Sequence, residues 1–213
     1  MNLLGYLLDY LRTAWRKPPP SPPAPPSIVA AHPDWWHGGV PEDALAFSRV
    51  FEGFRAEPYL DTSGVWTIGY GSTRDADGRR VRQTTPSITR EEADALTRRD
   101  LTTAANLARI AFPDGLPARW GAVVILMNNN LGDIRKWGPT LRQMLAQHRW
   151  QQAAEQMKEY RRSAGVPNKG LRRRRWAEAA FALGMDADAA HDAAWSRINS
   201  PDDWPPLPRA QGG

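Results

Sequence analysis

Two carboxyls and a hydroxyl stand at fixed spacings in the stretch from Glu52 to Ser72. Asp61 follows Glu52 by nine positions, and Thr67 follows Asp61 by six. Glycines and aromatics fill the intervals, in Gly53-Phe54, Gly64-Val65-Trp66 and Gly69-Tyr70-Gly71. A carboxyl that keeps its proton, facing one that has lost it, is the minimal equipment for cleaving a glycosidic bond. In this reading Glu52 is the general acid and gives its proton to the leaving oxygen. Asp61 stays ionised and opposes the positive charge growing at the anomeric carbon, or helps hold a water that the Thr67 hydroxyl orients. Water attack on the far face needs a carboxyl gap of roughly 6.5–9.5 Å, and direct attack by Asp61 one of roughly 5–5.5 Å.

Three features would keep Glu52 neutral: a place in the last helical turn, where the dipole disfavours negative charge; desolvation by Phe51, Phe54 and Trp66; and repulsion from Asp61. Arg49 and Arg55 on the same helix push the other way. Taken singly, a Glu at a helix end, an Asp in a turn and a Thr in a strand mean no more than local structure.

The elements that must position these groups are legible around them. Pro41 suits the first position of a helix, Glu42 and Asp43 suit its positive end, and Ala44, Phe47, Phe51 and Phe54 form its apolar stripe to about Arg55. Pro58 ends it. Tyr59-Leu60 and Val65 to Tyr70 read as two short strands around a turn at Thr62-Ser63-Gly64, with a third starting at Val81. Thr89-x-x-Glu92 is a capping box that opens a helix to about Ala108. Ala122 to Met127 is apolar on all sides, which predicts a buried central helix from Pro117 to the Asn128-Asn129-Asn130 run and Gly132. Helices over Thr140–Gln147, Trp150–Arg161, Leu171–Leu183 and from Asp186 to about Arg197 follow, and Pro-Pro-Leu-Pro closes the chain as a loose end. The sum is an α+β, mainly helical fold.

The spacing of Glu52, Asp61 and Thr67 within Glu-Gly…Asp…Gly-x-Trp-Thr-Ile-Gly-Tyr-Gly resembles that of the phage-type lysozymes (endolysins), glycoside hydrolase family 24. The resemblance runs more weakly from about Pro41 to about Leu183, where Gly170-Leu171-x-x-Arg174-Arg175-x-x-Glu178 is similar to the family's basic last-helix signature. It implies a lysozyme-like fold, with a small β-hairpin lobe, a helical lobe and a cleft between them, and the catalytic set Glu52, Asp61 and Thr67. It implies hydrolysis of the β-1,4 bond between N-acetylmuramic acid and N-acetylglucosamine in peptidoglycan, by water attack, with no cofactor. Many relatives carry His just after the strand glycines, where this chain has Ser72.

The rest of the chain bounds this reading. Residues 1–17 place Leu3, Leu4, Leu7, Leu8, Leu11 and Trp15 on one helical stripe. The run is shorter than the roughly 20 residues of a spanning helix and holds Asp9, and neither a basic start nor a cleavage site marks a cleavable signal. It reads as an amphipathic helix for a membrane surface or a virion partner, or as a terminal helix packed on its own domain. Seven prolines in nine residues, Pro18 to Pro26, make 18–40 a stiff linker and connector. The domain order is then helix 1–17, linker 18–40, catalytic domain 41–185 and C-terminal extension 186–213.

The net charge of +5 favours anionic partners without naming one. Arg172 to Arg175 could bind phosphates, but a basic helix face meeting solvent, with Arg174 or Arg175 paired to a carboxylate near the cleft, is the simpler reading. Basic residues without interleaved aromatics argue against nucleic acid. The chain has no Cys, and its four His never fall at a ligand spacing, so no metal site is expected. The competing functions are a glycan-binding virion component and a membrane-perturbing lysis protein. The expected location is the host bacterial cytoplasm and then the wall or periplasm, or the virion.

Overall fold

Packing starts from one apolar helix. In the computed structural model, which describes residues 35–61 and 63–210, helix α3 (Ala118–Leu131) is buried at every position from Trp120 to Asn128. A helix apolar on all sides can be stable only with neighbours all round. Here α1 (Glu42–Glu52), α2 (Arg90–Ala111) and α7 (Lys169–Ala182) pack against it. Gly132 caps α3 by donating its N–H to the Asn128 carbonyl, so the helix ends where the asparagine run and Gly132 predict. Short helices α4 (Ile134–Trp137), α5 (Pro139–Ala146) and α6 (Trp150–Gln156) complete this lobe, and a single 3-10 turn, Met157–Glu159, finishes α6.

The smaller lobe is a hairpin. Strands β2 (Arg55–Leu60) and β3 (Trp66–Gly69) pair antiparallel, with Tyr59 opposite Thr67 and Leu60 opposite Trp66. The register shifts between Arg55 and Tyr59, the interval that holds Pro58. A proline cannot donate to the ladder, so the chain absorbs it as an irregularity and does not end the strand. The first helix therefore stops at Glu52, earlier than its apolar stripe predicts, and Gly53 at φ +65° turns the chain into β2. Val81 begins no strand. Its N–H donates to the Thr73 carbonyl (3.0 Å), and one bridge, Arg74 to Arg80, closes the Asp77-Gly78 turn. Ile68, Val81 and Leu96 form a small separate core here, covered by Trp66 and Ile88. At Gly69 (φ +67°) a Cβ would lie 2.9 Å from Ala93 Cβ, so glycine lets the hairpin meet α2.

The Thr89 capping box is present in full at the start of α2. Trp35 and Trp36 form strand β1 and pair with β4 (Leu116–Pro117), which buries Trp36 against α3. A third small hairpin joins β5 (Arg162–Ser163) to β6 (Val166–Pro167) just before α7. Neither it nor α4 follows from the sequence periodicity.

The end of the chain differs most from expectation. Helix α8 (Ala187–Arg197) buries Ala190 and Ala194 in the main core, with Ile198 just beyond. The segment after it is no loose end. Trp204, Leu207 and Ala210 pack on the core. The buried Trp176 indole donates to the Pro205 carbonyl at 2.8 Å, and the Trp204 indole donates to Glu155 at 2.9 Å. Prolines have no N–H to satisfy, so such a segment can lie against apolar surface without a sheet or helix partner. Among the described residues no helix is long and apolar enough to cross a membrane. The predicted leading helix, 1–17, lies outside the described residues, as do the proline run and Thr62.

Candidate active site

Glu52 is the last residue of α1, with its side chain 39 % exposed. Of the three aromatics expected to desolvate it, Phe51 lines the same cleft, and the other two turn elsewhere. Phe54 faces Tyr70 and the Arg90 guanidinium, and Trp66 covers the hairpin core. The two arginines expected to oppose its proton are also engaged elsewhere. Arg49 binds Asp94 (2.6 Å) and Glu42 (2.7 Å), and Arg55 lies over the Tyr59 ring at 4.4 Å. The cation that does meet Glu52 comes from far along the chain: Arg174 Nη1 donates to Glu52 Oε1 at 2.9 Å.

That contact belongs to a row of arginines with assigned partners. Arg174 Nε also donates to Glu178 Oε1 (3.2 Å). Burial works against the Arg174 charge, but the Glu178 and Glu52 carboxylates outweigh it and hold the guanidinium above its ordinary value. Arg175 Nη1 donates to Glu178 Oε2 and Arg175 Nη2 to Asn130 Oδ1 (2.8 Å). Arg172 is buried and donates to the carbonyls of Pro201 and Lys158, and Arg173 donates to that of Ile198. The predicted solvent-facing basic face is therefore absent, while the predicted pairing of Arg174 with a carboxylate near the cleft is present. These side chains tie α7 to α1, α3 and the C-terminal segment, because four consecutive positions on a helix point to all sides of it.

Asp61 closes the hairpin turn, with Gly64 N–H donating to its carbonyl at 3.0 Å. Its Oδ1 accepts from the N–H groups of Ser63 and Val65, both at 2.8 Å. Thr67 is 3 % exposed, and its hydroxyl donates to the Val65 carbonyl at 3.0 Å. The same carbonyl accepts the Asp61 N–H. One residue, Val65, therefore holds both Asp61 and Thr67, and fixes them relative to each other.

Tyr59, which the sequence did not single out, connects the two halves of the site. It pairs with Thr67 across the ladder. Burial pushes its phenol above the ordinary value, Arg55 pulls it back, and the Glu52 and Asp61 carboxylates push it up again. Both carboxylates thus act on one ring.

Glu52 opens onto a cleft of about 520 Å³, shared with Asn130, Ser163, Asn168, Arg174 and Trp195. Asp61 and Thr67 do not line this cleft. A narrower cavity of about 80 Å³ lies on the other side of Glu52, between Tyr70-Gly71-Ser72 of the hairpin lobe and α2 and α3. There the Ser72 hydroxyl donates to Asp100 Oδ2 at 2.7 Å. A hydroxyl-to-carboxylate hydrogen bond thus joins the hairpin lobe to α2 at Ser72.

The sequence model of the family described as Phage lysozyme matches residues 49–178. Among solved structures, the chain is similar to the endolysin from Escherichia coli O157:H7 phage FAHEc1, at 25% identity and TM-score 0.61, over 70% of this chain and 96% of that one. A P22 lysozyme mutant superposes at TM-score 0.59 with 24% identity, over 68% and 99% of the two chains. The muramidase domain of SpmX from Asticaccaulis excentricus does so at TM-score 0.54 with 24% identity, over 70% and 99%. No curated protein sequence matches the chain. With more than half of its length matched by one family, and with that family's α+β fold, the chain belongs to the phage lysozymes: it is a glycoside hydrolase, a muramidase that hydrolyses peptidoglycan.

Proposed function

We propose that Glu52, Asp61 and Thr67 are the catalytic residues, and that hydrolysis inverts the anomeric centre of the muramic acid unit. Glu52 donates its proton to the leaving N-acetylglucosamine oxygen. Asp61 stabilises the oxocarbenium-like transition state with its charge, and with Thr67 holds the attacking water. Proton donation of this kind contributes about 10²–10⁴-fold. The observation that carries the reading is the shared Val65 peptide, which fixes Asp61 and Thr67 together on the hairpin that follows Glu52 in the chain. Among the described residues Asp61 Oδ2 accepts no hydrogen bond, so one oxygen of that carboxylate is available to a water.

The biological setting we infer is host cell lysis or wall penetration by a phage-type enzyme, from the host cytoplasm to the wall. The catalytic domain is taken as 41–185. The amphipathic stretch 1–17 supplies a tether to a membrane surface or virion partner through the linker 18–40. Deleting residues Met1 to Ser27 should leave hydrolysis intact and abolish liposome binding at modest salt.

The test of the catalytic assignment is Glu52→Gln. The folded variant should fail to clear permeabilised bacterial cells, and wild-type digests should show by mass spectrometry a new reducing end on N-acetylmuramic acid. Equal clearing by both proteins would remove Glu52 from the mechanism. An anhydro product would remove the water.

A further inference from the structure

We propose that α8 is a wall of the substrate cleft and that Trp195 on it contacts a saccharide unit of the glycan strand beside the scissile bond. The proposal deepens the reading of Glu52 as the catalytic acid and rests on it.

The cleft that holds Glu52 and Arg174 is also lined by Trp195. The segment matching the family ends at Glu178, before α8 begins. Helix α8 is anchored on its other side. Ala190, Ala194 and Ile198, spaced by four, are all fully buried. Trp195 lies off that stripe and is 40 % exposed. It is nonetheless held in place. Its ring stacks on His191 at 4.2 Å, meets Phe51 edge-on at 5.6 Å, and has the Arg173 guanidinium 5.2 Å from its centroid. Phe51 immediately precedes Glu52, so the indole packs against the turn of α1 that carries the acid.

The chemistry around the indole fits a neutral sugar. Pyranose rings present C–H faces and hydroxyl edges together, and a tryptophan presents an apolar body with one N–H donor. Among the described residues the Trp195 Nε1 has no hydrogen-bond partner, so that donor remains for a ligand. Two cleft amides are oriented in the same way. The Asn130 Oδ1 is occupied by Arg175 and the Asn168 Oδ1 by the Leu171 N–H, which leaves both amide NH₂ groups as donors. An anionic ligand fits worse. The Arg174 guanidinium is already shared between two carboxylates, and Arg162 Nη1 donates to the Gly165 carbonyl.

The experiment is equilibrium binding of a soluble oligomer of alternating N-acetylglucosamine and N-acetylmuramic acid. Glu52→Gln is compared with Glu52→Gln/Trp195→Ala and Glu52→Gln/Trp195→Phe by titration calorimetry. The Ala variant should bind about three- to tenfold more weakly, and Phe should recover most of the loss. Equal affinities overturn the proposal. In a second measurement the Trp195 indole N–H resonance of Glu52→Gln, identified by its loss in Trp195→Phe, should move on addition of the oligomer. An unmoved resonance overturns the proposal even if the Ala variant does not fold. Turnover of the oligomer by Glu52→Gln would instead sink the acid assignment, and the movement of the Trp195 indole resonance would still decide the contact.

Discussion

Arg175 and Glu178 form an ion pair in which neither side chain has any exposed surface, Nη1 to Oε2 at 2.6 Å. A carboxylate in that position would be prohibitively costly alone, and it is compensated by Arg175 on one oxygen and Arg174 on the other. The same Glu178 thereby fixes the arginine that reaches Glu52.

Removing one partner of that pair should be severe. Arg175→Met should lower the unfolding free energy by about 3–5 kcal/mol, because it leaves the buried Glu178 Oε2 unpaired, with Arg174 on the other oxygen alone. The double variant Arg175→Met/Glu178→Leu should recover a large part of the loss, since no uncompensated charge remains. Urea midpoints for the cycle read this directly. A double variant no more stable than the single would mean that the pair is not what the site depends on.

Asp61 has a structural duty that can be separated from its chemical one. Asp61→Asn retains an Oδ1 for the Ser63 and Val65 N–H groups. Its stability should stay within about 0.5 kcal/mol of wild type, while peptidoglycan hydrolysis falls by about 10² or more. Asp61→Ala should lose activity and, in addition, about 1 kcal/mol of stability. Wild-type turnover by the Asn variant would leave no role for the charge.

Gly121 is inside α3, where alanine would ordinarily be preferred by about 1 kcal/mol. Here the sign should reverse. A Cβ would sit 2.7 Å from Trp36 Cγ, and Trp36 is pinned by its indole bond to the Gly39 carbonyl at 2.9 Å. Overpacking costs about 1–3 kcal/mol, so Gly121→Ala should lower the thermal midpoint. An unchanged or higher midpoint would show that β1 is free to shift.

Acid should loosen the C-terminal segment. The Asp203 carboxyl accepts the N–H groups of Asn199 and Ser200, at 2.7 Å and 2.8 Å, and these bonds hold it below the usual carboxylate range. A group lowered on folding stabilises the protein above its unfolded value and loses that contribution as pH falls through the folded one. Wild type should therefore lose stability on acidification more steeply than Asp203→Asn, in paired unfolding curves at neutral pH and near pH 3. Parallel losses would assign the acid sensitivity to other groups.

Much of this protein was readable without coordinates because the relevant physics is local. The Thr89 capping box, the all-apolar run of α3 and the turn at Gly64 depend on residues a few positions apart, and the spacing of Glu52, Asp61 and Thr67 is itself a local pattern. Tertiary structure decided what depends on distant partners. Arg49 was free to face Glu52 but is captured by Asp94, while Arg174 arrives from α7. The arginines of 172–175 look like a solvated patch and are instead anchors, with Arg174 and Arg175 sharing Glu178. The proline-rich end looks unstructured and instead covers Trp176, since a segment without a regular helix or strand leaves no periodic trace of the surface it packs on. Helical and strand periods record which face of an element is buried, but not which neighbour buries it, and the companions of Glu52 are set by that choice of neighbour.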